Sequence, residues 1–290
     1  MIALDIVARV AVALIGTGIA AYFDVTNNRN IPNHVTYPFV VLALLVNFIS
    51  LDMAALPMTV GIAAAIFIIG YVFYKMGQIG GADILVITAI ALAIPQQPLE
   101  TLIVRQTIAS PFPFVLSVII GASLAFSVVM FLSFIPKVAA AIRAGKIKLG
   151  NERLLSAGLI AIAYIAFVYI AVKLPFFPPL YLALITFVML TSVFFMLFRE
   201  FIQASMVEFV PLSRVEEEDV LAIEQMDKET VAKYKLQKLL TLDEIKRLRK
   251  LPIKKFPVYT KMPMFLPYIL FGLLLSLLFG DLLLLAAGLG

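Results

Sequence analysis

Apolar runs recur along this sequence at residues 2–23, 37–51, 54–74, 84–94, 114–135, 154–172, 180–198 and 263–279, with short polar connections between most of them. A helix needs roughly 20 apolar residues to cross the hydrocarbon core. Inside that core every backbone N–H and C=O must find a partner within its own segment, so runs of this kind have to be helices. The run at 84–94 is cut off by Pro95 and Pro98. It is short for a crossing, and fits inside a bundle or beneath a thinned bilayer. Hydrophobic residues make up 62% of the chain and charged ones 14%, against about half and a quarter in a soluble domain. The expected architecture is a polytopic all-α membrane helix bundle of about eight spans, with six to eight as the range. The first run has neither the basic leader nor the small-residue cleavage site of a removable signal.

The charged residues concentrate in 199–261, which is too polar to cross a membrane. Segments 209–212, 219–223 and 254–259 read as short strands. Thr241-Leu242-Asp243-Glu244 reads as a capping box opening a helix through Leu251. The chain is therefore expected to divide into a transmembrane bundle (1–198), a small α+β cytoplasmic subdomain (199–261) and a C-terminal transmembrane helix with its tail (262–290). With the basic loop at 137–153 in the cytoplasm, alternation puts 20 of the 23 Lys and Arg residues on that side, leaving Arg9, Arg105 and Lys173 outside. The positive-inside rule then places the N-terminus outside. The basic residues of the 241–251 helix are expected to face anionic lipid and not nucleic acid.

That orientation brings two acids to one membrane face. Asp24 closes the first apolar run, and Asp83 opens the fourth, directly after Gly80-Gly81-Ala82. Glycine lets a backbone turn tightly or approach another closely. An acid at the edge of a span is expensive unless it has a partner or a task. Two neighbouring carboxylates cannot both ionise cheaply, so one holds a proton while the other stays charged. The charged one draws a proton from water, and the protonated one assists the carbonyl or the leaving amine. At this point the alternatives stay open: Asp24 as a helix end in solvent, Asp83 as a helix cap, or the two acids as a proton or cation relay in a transporter. The chain has no cysteine and one histidine, His34, which excludes a thiolate nucleophile, a cysteine zinc site and a multi-histidine metal site. No metal and no cofactor is expected.

Asp24 followed by Ile31-Pro32-Asn33, with Gly80-Gly81-Ala82-Asp83 downstream, resembles the two motifs of the type IV prepilin peptidases. These are aspartyl proteases of the Gly-x-Gly-Asp class, and the chain looks most like the archaeal preflagellin and prepilin-like members. The resemblance covers roughly 1–135, with weaker likeness at Pro211-Leu212-Ser213, Glu218-Asp219-Val220-Leu221, Leu240-Thr241 and Gly280-Asp281. It implies Asp24 and Asp83 as the catalytic pair, with Gly80, Gly81, Ala82, Pro32 and Asn33 as motif support. It also implies a membrane aspartic endopeptidase that cuts the short basic leader from archaellin or type IV pilin-like precursors at the cytoplasmic boundary. Two departures stand out. Bacterial members add a cysteine-rich zinc segment and a methyltransferase activity, neither expected here. Presenilin-type relatives have Tyr-Asp and Pro-Ala-Leu, where this chain has Phe23 before Asp24 and no Pro-Ala-Leu. A presenilin-like intramembrane protease and a proton-coupled transporter are the rival readings. The run Glu216, Glu217, Glu218 and Asp219 reads as a solvated face or as a dock for the basic leader. Precursor proteins and membrane lipids are the expected partners.

Overall fold

The computed structural model describes residues 4–27, 29–49, 55–96, 110–147, 149–174, 178–249, 253, 255–260 and 262–286. Among the described residues, five helices are long and apolar enough to cross a membrane: α1 (Leu4–Thr26), α3 (Leu56–Lys75), α5 (Phe114–Arg143), α6 (Asn151–Ala171) and α7 (Pro179–Met206). Three shorter apolar helices accompany them: α2 (Asn33–Leu45), α4 (Gly81–Ala93) and α10 (Leu266–Phe279). All eight expected apolar runs are thus helical among the described residues, while five reach crossing length unaided.

α4 is the axis of the bundle. Its sequence is apolar at nearly every position, and a helix apolar all round has to be enclosed. Every residue from Val86 to Ala93 is buried, against α1, α2, α3 and α5. With 13 residues it is about 20 Å long at 1.5 Å per residue, well short of a bilayer core of about 30 Å. Its last carbonyls therefore end inside protein, where an unpaired group would cost several kcal/mol. The buried Asn47 supplies a donor, Nδ2 to Leu92 O at 2.9 Å, and Arg9 supplies another, Nη1 to Ala93 O at 3.0 Å. Arg9 also donates to Asn47 Oδ1 at 2.8 Å. Asn47 thus serves helix packing and capping at the end of the bundle away from Asp24 and Asp83.

α10 lies along α5 at close range, because two glycines meet there. A Cβ on Gly272 would stand 2.4 Å from Val118 O and 2.6 Å from Ala122 N, and one on Gly121 would meet Gly272 Cα at 3.2 Å. Phe126 then closes edge-on against Phe265 and Tyr268. α6 and α7 form an outer pair joined to the bundle through α5, around Met130, Phe134 and Ile202.

Two helices outrun their expected ends. α5 continues past residue 135 and Pro136 to Arg143, with Phe134, Val138 and Ala141 buried at i, i+4 and i+7. α7 continues past residue 198 to Met206. Much of the expected basic loop is therefore helix.

Beyond α7 the chain builds a second core from Val210, Leu221, Leu240, Leu248, Phe256 and Val258. Strand β1 (Glu208–Pro211) pairs antiparallel with β2 (Lys255–Val258), with Val210 opposite Phe256. The expected third strand at 219–223 forms only single bridges, Val220 to Leu239 and Leu221 to Val258, before a 3-10 turn at Ile223–Gln225. A helix that the sequence reading did not foresee, α8 (Lys228–Tyr234), is capped by the Asp227 side chain. α9 (Leu242–Leu248) opens as expected, with Thr241 Oγ1 accepting the Glu244 N–H at 3.3 Å. Its Lys246 and Arg247 pair with Asp243 and Glu244 on their own helix. A last short helix, α11 (Leu282–Ala286), follows α10.

Candidate active site

Asp24 lies in the last turn of α1 and is only 4% exposed. The polar connection between the first two apolar runs is accordingly shorter than their ends at 23 and 37 suggest, since α1 reaches Thr26 and α2 already begins at Asn33. The reading of Asp24 as a helix end in solvent is corrected by that burial. Its Oδ2 accepts the Leu266 N–H at 3.2 Å. This donor belongs to the first turn of α10, where free N–H groups and the helix dipole favour a negative charge. The link joins residues far apart in sequence, and its one sequence signal is Pro267 just inside the helix start.

Asp83 is the third residue of α4 and is partly buried. Its Oδ2 accepts the Gly80 N–H at 3.3 Å, so it does cap its own helix. It also lies within electrostatic reach of Asp24. One end of the bundle thus collects two carboxylates, each anchored by a backbone N–H at a helix start. The glycines before Asp83 differ in purpose. Gly77 has φ +67°, a left-handed turn that ends α3 and that other residues resist. A Cβ on Gly80 would press against Asp83 Oδ2 at 3.1 Å. Ala82 lies between them in the first turn of α4, partly buried.

Pro32 is the N-cap of α2 and Asn33 its first residue. Ile31 and Val35 on either side pack against the bundle core, while Asn33 and His34 are exposed. The motif thus starts a helix and anchors it, and His34 faces outward as a solvent-exposed side chain. Arg29 stands beside Asp24, its Nη1 donating to Thr260 O at 2.6 Å. Lys75 lies over the rings of Tyr71 and Tyr74.

The acidic run reaches the same end of the bundle. Glu218 Oε1 accepts the Tyr74 hydroxyl at 2.9 Å, and a Cβ on Gly81 would meet that oxygen at 3.4 Å. Glu216 and Glu217 are exposed. Asp219 has a structural task, its Oδ2 accepting the Glu216 N–H at 2.8 Å, and burial pushes its carboxyl above the ordinary range. The sequence had signalled all four acids, but not the proximity of Glu218 to Gly81. Among the described residues no cluster of three or more His, Asp or Glu suits a metal ion.

Comparison with known proteins bears on the same region. Residues 11–141 match the model of the type IV leader peptidase family. A curated protein named prepilin peptidase EppA, from Methanothermobacter thermautotrophicus, is 32% identical over 124 residues, which is 40% of this chain and 32% of that protein. The chain thus spans about a third of the length of the curated relative that it matches. No solved structure matches. The family match contains both acids and both motifs, so it is in residues 11–141 that this chain is similar to the type IV leader peptidase family.

Proposed function

We propose that the chain is a membrane-embedded aspartic endopeptidase, and that Asp24 and Asp83 are its catalytic pair. The observation that supports this most directly is that two acids 59 positions apart in sequence lie within electrostatic reach of each other at one end of an apolar bundle, each held by a backbone N–H. In this reading the ionised carboxylate takes a proton from a water between the two acids. The resulting hydroxide attacks the carbonyl carbon, and the other carboxyl gives its proton to the carbonyl oxygen. When the tetrahedral adduct collapses, the C–N bond breaks and the amine leaves with a proton from the pair. Gly80, Gly81 and Ala82 support Asp83, and Pro32 and Asn33 set the start of α2.

The proposed substrate is an archaellin or type IV pilin-like precursor, and the cut removes its short basic leader at the cytoplasmic boundary. Glu216, Glu217, Glu218 and Asp219 would receive that leader. Glu218 is the member nearest the Asp83 turn through its contact with Tyr74. The bundle would cross the bilayer eight times, with the N-terminus outside and α2, α4 and α10 as short crossings. The apolar outer faces of α6 and α7 would meet lipid.

The test is co-expression with a leader-bearing precursor, comparing wild type with Asp24→Asn and Asp83→Asn. Each amide should lower the cleavage rate by about 10²- to 10⁴-fold, the usual weight of a proton-transfer group. Cleavage at the wild-type rate by either variant would end the proposal. Sequencing the new N-terminus places the cut: at the leader junction for this reading, inside the apolar helix for an intramembrane protease.

A further inference from the structure

Arg29 belongs to neither motif, yet it is bound more closely into the site than the motif residues Pro32 and Asn33. Its backbone has φ +71°, a left-handed conformation that a residue with a long side chain seldom adopts without a reason. The turn is closed by its own N–H, which donates to Asp24 O at 3.0 Å. That geometry sends the guanidinium between Asp24 and the connector from β2 to α10. Nη1 donates to Thr260 O at 2.6 Å, and Nε is buried without a hydrogen-bond partner. Six positions after Thr260, the Leu266 N–H donates to Asp24 Oδ2. One side chain therefore bridges the loop that follows Asp24 and the connector that delivers the donor of Asp24. An exposed topology anchor would need neither the left-handed backbone nor a partly buried guanidinium. The charged group facing Arg29 is Asp24 from α1, which in turn lies within electrostatic reach of Asp83 from α4.

We propose that Arg29 is a positioning residue of the peptidase site. It pins the Thr260 connector so that the first turn of α10 meets Asp24, and its own charge lies beside the carboxylate. This inference rests on the reading of Asp24 as catalytic. Guanidinium suits the task because a planar fork can hold a carbonyl oxygen while facing a carboxylate, which a single ammonium does less well.

The experiment uses the full chain and a leader-bearing precursor peptide, with steady-state kinetics for wild type, Arg29→Ala, Arg29→Gln and Asp24→Asn. Arg29→Ala should lower kcat about 10²-fold, as loss of precise placement does, with KM little changed. Added guanidinium should restore part of that kcat and should restore nothing in Asp24→Asn. A protein merely damaged in folding would show neither the split between kcat and KM nor the rescue. If Arg29→Ala does not accumulate, Arg29→Gln carries the test, since its amide is too short to replace the fork and is uncharged. A wild-type kcat in either Arg29 variant, or a lowered kcat that guanidinium leaves unmoved in Arg29→Ala, overturns the proposal. Activity in Asp24→Asn would instead overturn the peptidase reading beneath it.

Discussion

Asp24 and Asp83 show how far single residues can be read. Both could be picked out of the sequence because an acid at the edge of an apolar run needs a reason to be there. What each is bonded to could not be picked out. The Asp24 donor comes from Leu266 and the Arg29 partner from Thr260, and neither pairing leaves a local pattern. Asp227 is a case where local chemistry suffices. The Thr230 N–H and hydroxyl both donate to its carboxylate and hold its pKa below the ordinary value. A depressed carboxyl contributes stability above its unfolded pKa of about 3.9, and that contribution disappears as pH falls through the lower folded value. Hydrogen exchange over Lys228–Tyr234, corrected for intrinsic rates, should therefore show protection lost on acidification to about pH 3. Asp227→Asn, whose amide oxygen caps without ionising, should lose less of it. Equal losses in the two proteins would contradict this role.

Among the elements, α4 and α10 depend most on their neighbours. A helix of 13 or 14 residues has no independent claim to cross a bilayer, and each persists because others enclose it. For α10 the enclosing contact is the glycine crossing with α5, which predicts a sharp contrast between two substitutions. Gly272→Ala drives a Cβ into the backbone of α5 and should destabilise the protein by about 1–3 kcal/mol, the usual range for overpacking. Gly158→Ala, on α6 with nothing within 4 Å of the new Cβ, should be neutral or stabilising by up to about 1 kcal/mol from helix propensity. Thermal unfolding in detergent distinguishes them, and equal melting temperatures would mean that the α5–α10 crossing is looser than described. The extension of α5 to Arg143 was hidden by Pro136 and Lys137, both of which read as a stop. The buried stripe Phe134, Val138, Ala141 carries the helix onward, and only the packing partner makes that stripe meaningful.

For the whole molecule, the second core ties back to the bundle through Tyr74 and Glu218, Arg29 and Thr260, and Gly77 beside Val220. This arrangement bears on substrate and on topology. Glu217→Gln and Glu218→Gln should each raise KM for a basic-leader peptide about two- to fivefold, as exposed ion pairs of 0.2–1 kcal/mol allow. The difference should shrink at high salt. Unchanged KM at low salt would remove the acidic run from substrate docking. Because the chain has no cysteine, single cysteines report sidedness without background. His34→Cys and Lys235→Cys should react with an impermeant reagent only from the cytoplasmic side, and Gln96→Cys only from the other. Labelling of residues 34 and 235 from opposite sides would break the proposed orientation.

Hydropathy by itself determined the helical membrane bundle, and the paired motifs determined the resemblance to type IV leader peptidases and singled out two acids, because both depend on residue type and spacing along the chain. Burial of Asp24, the clasp from α10, the guanidinium bridge and the approach of Glu218 to the Asp83 turn were decided by tertiary structure alone. Each joins segments separated by many helices, and contacts of that range follow from how surfaces pack in three dimensions, which no run or period along the chain encodes.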